Sequence, residues 1–84
     1  MKEKKNLGTI NGEIIRSFTL VGDNSGEVGE YTSLTELYKA LQDVKKADRQ
    51  YYGYTDTFHI DINTDESVYT DFTIRKYKNR FIIK

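Results

Sequence analysis

The residues best suited to chemistry lie between Phe58 and Phe72. His59 and Asp71 fall in two segments that each alternate apolar and polar residues. Pairing these segments around a turn centred on Asp65 sets Phe58 opposite Phe72 and Ile62 opposite Val68 on one face. On the other face it sets His59 opposite Asp71 and Asp61 opposite Tyr69. A carboxylate beside an imidazole holds its tautomer and raises its pKa, as in a general acid–base unit. A nucleophile is missing from the pattern. The chain has no cysteine, and no serine is expected on that face. Thr57 and Thr73 suit a strand by β-propensity alone. No catalytic residue is assigned, and the expectation is a non-enzymatic protein with His59 and Asp71 as a surface pair.

Two other motifs resemble ligand loops. Asp61-Ile-Asn63-Thr-Asp65-Glu66 opens like a calcium loop, but position six is Glu66 instead of glycine and position twelve is Phe72 instead of glutamate. One histidine and scattered carboxylates make a poor zinc site, so no metal is expected. Gly22, Gly26 and Gly29 punctuate a stretch that leads towards a helix, yet it lacks the Lys-Ser/Thr pair of a phosphate loop and carries Asp23, Glu27 and Glu30. No cofactor follows from it, and Gly22–Gly29 is expected to be a flexible loop.

Charge is segregated although the formal net charge is zero. Ser17–Tyr38 holds four acids (Asp23, Glu27, Glu30, Glu36) and no Lys or Arg. Gln50–Ile74 holds five acids (Asp56, Asp61, Asp65, Glu66, Asp71) and again neither base. Arg75–Lys84 holds five bases (Arg75, Lys76, Lys78, Arg80, Lys84) and no acid. Such blocks create local fields that the net charge conceals. The expectation is that acidic and basic strands pair side by side and cancel, since opposite charges across strands attract. Tyrosine is in excess, with seven residues and no tryptophan; it suits interfaces because it buries area while keeping a polar end.

One helix must organise these segments. Ser33 and Glu36 form a capping box, and Leu34, Leu37, Tyr38, Leu41 and Val44 follow at helical spacing. A helix over Ser33–Tyr51 results, ended by Gly53, with Tyr51 and Tyr52 closing over its last turn. Asp48 continues the apolar stripe, and reads as the point where the helix passes the edge of the core. Asn11-Gly12 predicts a two-residue hairpin between strands Leu7–Ile10 and Glu13–Val21. In the second of these, Ile14, Phe18 and Leu20 share one face, and Ile15 and Val21 the other, which suits an interior strand. Tyr54–Ile62 and Val68–Tyr77 follow. The last hairpin turns at Lys78-Asn79, with Asn79 taking positive φ.

The fold class is α+β, with one helix on one face of a mostly antiparallel sheet of four or five strands, in the order ββαβββ. The 84 residues make one domain, with a charged tail over residues 1–6 expected to be mobile. No membrane span is present, and a cytoplasmic setting fits the absence of cysteine. The open sheet face would present His59, Asp61, Tyr69, Asp71 and Tyr77, with Asp65 and Glu66 in the adjoining turn. These are the candidate partner-binding residues. The expected role is a protein-binding module. By analogy it is the kind of object a phage or mobile element uses to block a host protein, including one that handles nucleic acid. Two alternatives are a nucleic-acid-binding protein using Arg75, Lys76, Lys78, Arg80 and Lys84, and a small assembly subunit. Monomer and homodimer both fit.

Overall fold

A computed structural model describes residues 7–84; the tail expected over residues 1–6 lies outside them. The helix, α1 (Leu34–Tyr52), forms as its spacing predicts. Ser33 caps it in an extended conformation, and its hydroxyl accepts the Glu36 N–H at 3.4 Å. Gly53 ends it at φ 78°, where only glycine escapes a steric penalty, and donates to the Arg49 carbonyl at 3.1 Å. Leu37 and Leu41 are buried, and Leu34, Tyr38 and Val44 pack around them. Tyr51 and Tyr52 do not close over the last turn; both are exposed.

Strands β1 (Thr9–Ile10) and β2 (Glu13–Gly22) join through Asn11-Gly12, whose φ angles of 51° and 78° are those of the expected turn. The stretch read as a flexible loop is instead a hairpin. β3 (Gly26–Tyr31) runs back antiparallel along β2, pairing Phe18 with Tyr31 and Gly22 with Gly26. β4 (Phe58–Thr64) lies on the other edge of β2, and β5 (Val68–Phe72) on the far edge of β4. β2 is interior, as its two apolar faces suggest. The architecture is α+β, one helix on a mostly antiparallel sheet, with a small second sheet of β6 (Ile74–Tyr77) and β7 (Arg80–Ile83).

Register differs from expectation where bulges intervene. A shift between Ile15 and Ser17 turns Ile15 into the core beside Phe18 and Leu20, and leaves Ile14 exposed. A second shift, between Ile60 and Ile62, pairs Ile60 with Phe72 and Ile62 with Tyr69. The expected pairs Phe58–Phe72, Ile62–Val68, His59–Asp71 and Asp61–Tyr69 therefore do not form. Asp71 takes φ 70°, and the strand expected over Val68–Tyr77 breaks at Thr73. The final hairpin keeps the expected register, with Ile74 opposite Ile83, Arg75 opposite Ile82, Lys76 opposite Phe81 and Tyr77 opposite Arg80. Positive φ falls on Lys78, not Asn79. Phe81 meets Tyr38 of α1 at 5.4 Å between rings, and Ile74 is buried. Helix and hairpin thus cover the same side of the main sheet.

Candidate functional site

The opposite side of that sheet is set by the β3–β2–β4 register. Since Phe18, Leu20, Ile60 and Ile62 point into the core, their neighbours point out. Three polar rows result. Ser17 pairs with Asn63, Thr19 lies between Glu30 and Asp61, and Val21 lies between Glu27 and His59. The β2–β3 turn adds Asp23. Four carboxylates from two acidic segments therefore share one face, and among the described residues no Lys or Arg stands in these rows. The expected cancellation of acidic and basic strands does not occur. Acidic β3 and β4 flank β2, while basic β6 and β7 pair with each other.

The first row is tied together. The Ser17 hydroxyl donates to Glu30 Oε2, and Asn63 Nδ2 donates to Ser17 Oγ at 3.0 Å and Thr19 Oγ1 at 2.8 Å. Ser17 is buried beneath these partners. The last row is looser. His59 Nδ1 lies 3.7 Å from Asp23 Oδ1, and His59 Nε2 lies 3.7 Å from Asp61 Oδ1. Asp61 Oδ1 is buried and has no hydrogen-bond partner. Ser17 lies four positions along β2 from Val21, the register partner of His59, or about 13 Å at the rise of a strand. That separation is too long for proton transfer between the Ser17 hydroxyl and the imidazole.

The expected partner-binding residues scatter. His59 and Asp61 are on the acidic face, half-buried. Asp65 sits in the β4–β5 turn, where its carboxylate accepts Arg16 Nη2 at 2.8 Å; this pairing raises the Arg16 pKa. Glu66 is exposed beside it, its N–H held by the Thr64 hydroxyl at 3.2 Å. Tyr69 is turned to the core side by the extra residue in β5, where three steps from Tyr69 to Phe72 face two from Ile62 to Ile60, and donates to Glu13 Oε2 at 2.9 Å. The Thr64 and Tyr69 hydroxyls hold the Glu13 pKa below the ordinary carboxylate range. Asp71 is exposed within β5 at φ 70°, and the irregular register there leaves it unpaired with His59. Tyr77 is exposed, but on the separate hairpin. The calcium-like residues diverge too, with Asn63 bonded to β2 and Asp65 to Arg16. Among the described residues, no three His, Cys, Asp or Glu side chains converge on a metal-sized space.

Two groups escaped the sequence reading. Glu27 and Glu30 were visible only as members of an acidic run, because β3 did not look like a strand. Tyr51, Tyr52 and Tyr54 form an exposed knuckle, with the rings of Tyr52 and Tyr54 6.2 Å apart. The knuckle adjoins the acidic face. Tyr54 precedes Asp56 by two residues, and the Asp56 carboxylate accepts the N–H groups of Asn24 and Ser25 next to Asp23. Among the described residues, no helix is long and apolar enough to cross a membrane. No protein-family model matches the sequence, and no curated protein or solved structure gives a significant match.

Proposed function

We propose that this protein is a non-enzymatic binding module whose acidic sheet face docks on a basic surface of another protein, in a cytoplasmic setting. The observation that carries the reading is the convergence of Asp23, Glu27, Glu30 and Asp61 on one face, with the bases of α1 and the β6–β7 hairpin on the side that the helix covers. Such a face steers a cationic partner and disfavours anionic ones. The tyrosine knuckle supplies large, partly apolar anchors at its end, the residue type that concentrates binding energy at interfaces. By analogy, the partner is a nucleic-acid-handling host protein whose basic groove this face would occupy, and the role is that of a phage or mobile-element inhibitor.

Immobilised wild-type protein, Asp23→Lys/Glu27→Lys and Arg80→Glu, compared by capture from host lysate and mass spectrometry, test the reading. A protein retained by wild type and Arg80→Glu, lost from Asp23→Lys/Glu27→Lys, and displaced by nucleic acid is the expected outcome. Equal capture by all three overturns it.

A further inference from the structure

The β6–β7 hairpin carries a second surface, distinct from the acidic face. Its inner side is occupied, since Ile74, Phe81 and Ile83 pack on the core. Its outer side presents three cross-strand pairs. Thr73 and Lys84 exchange backbone hydrogen bonds at 2.8 and 3.1 Å, Arg75 faces Ile82, and Tyr77 faces Arg80. Every pair joins one cation to one uncharged side chain, and the cation alternates between strands. The three cations therefore zigzag from strand to strand, Lys84–Arg75–Arg80, with diagonal steps of about 7–8 Å between positions. Thr73, Ile82 and Tyr77 fill the complementary zigzag. Five of these six side chains, Thr73, Arg75, Tyr77, Ile82 and Lys84, line a concave surface of about 540 Å³ together with Lys76, and Arg80 lies outside it.

None of the five bases of Arg75–Lys84 makes an ion pair among the described residues. Tyr77 and Ile82 stay 59% and 39% exposed. Lys78 Nζ lies over the Tyr77 ring at 5.3 Å, which leaves the other ring face for a second flat group. Evenly stepped cations interleaved with uncharged side chains, one of them an aromatic ring, match a chain of regularly spaced anions carrying flat, apolar side groups. A run of acidic peptide supplies the charge but nothing to stack. A duplex keeps its bases stacked inside.

We infer that the outer face of this hairpin binds single-stranded nucleic acid, with phosphates along Lys84, Arg75 and Arg80 and a base on Tyr77. The strands of four residues span about 13 Å, so the site holds only a few nucleotides.

Fluorescence anisotropy of labelled oligothymidylate and oligouridylate with the full chain tests this. Three neutralised phosphates, at about 0.7 each on the logarithmic scale, predict that a tenfold rise in salt weakens binding about a hundredfold. Arg75→Ala/Lys84→Ala abolishes the low-salt signal. Tyr77→Ala weakens it about fivefold or more, while Tyr77→Phe retains it. Asp23→Lys/Glu27→Lys leaves it no weaker. All the substituted positions are exposed, and thermal melts confirm that each variant folds. No binding at low salt overturns the inference. So does displacement by polyglutamate as effective as by unlabelled oligonucleotide, equal affinity for a duplex, or an unchanged Tyr77→Ala.

Discussion

The Asp56 carboxylate accepts the Ser25 N–H at 2.9 Å, across 31 residues of chain. It also accepts the Ser25 hydroxyl and the Asn24 N–H, each at 2.9 Å, while its own N–H donates to Asp48 of α1 at 3.0 Å. One residue thus fastens the β2–β3 turn to the end of the helix. Asp48, which continues the apolar stripe of α1, is there to hold this connection.

A pH dependence follows. Burial raises the Asp56 pKa, but donors from Ser25, Asn24 and Thr57 outweigh it and bring it from 3.8 to about 2. The folded pKa is the lower one, so the contribution to stability is complete above about pH 4 and is lost as pH falls through about 2. Asp56→Asn lowers the melting temperature near neutral pH, and its gap from wild type closes towards about pH 2. A gap that stays constant across that range refutes the clamp.

Local signals made the helix and two hairpins legible. Ser33, Glu36 and the leucines define α1, and Asn11-Gly12 fixes the β1–β2 turn, each within a few residues. β3 was hidden because GEVGEY has two glycines, no alternation and a turn whose donors are satisfied by distant Asp56. The bulges at Arg16 in β2 and between Tyr69 and Phe72 in β5 were hidden for another reason: nothing in residue type marks them, yet each flips the residues beyond it. The acidic runs were plain in the sequence. Their convergence on one face was not, because it needs β3 to be a strand.

Lys78, not Asn79, carries the positive φ of the β6–β7 turn. Its φ of 56° is unfavourable for a side chain with Cβ. Lys78→Gly relieves that strain at some cost in unfolded-chain entropy, for a net gain of about 0.5–1 kcal/mol. The melting temperature then rises by about 2–8 °C. Asn79→Gly carries the entropy cost without the relief, and lowers it. The opposite order in paired thermal melts would place the strained residue at Asn79.

The seating of α1 can be measured at Leu37, which is fully buried among Leu20, Leu41 and Ile60. Leu37→Ala costs about 2–5 kcal/mol, a large share of the stability of so small a domain. The urea midpoint falls while the slope stays the same. Leu34→Ala, on the partly buried edge of the stripe, costs less. Equal losses at the two positions would mean that the helix presents a different face to the sheet.

Gly22 sits directly against the Asp56 carboxylate. A Cβ at this position would lie 2.5 Å from Asp56 Oδ2 and 2.9 Å from Phe58 Cε1. Gly22 has no positive φ among the described backbone angles, so crowding is what an added methyl meets. In Gly22→Ala the Asp56 carboxylate must move, and in moving it leaves Asn24 and Ser25 without their acceptor. The substitution therefore removes the clamp as well as straining the strand. In an Asp56→Ala background the carboxylate is gone, and only the Phe58 contact remains. The two substitutions are then less than additive, because each forfeits the same hydrogen bonds. Urea unfolding of both single variants and the double variant closes the cycle. Additive losses would mean that the strand yields at Phe58 and that Asp56 keeps its hold on the turn.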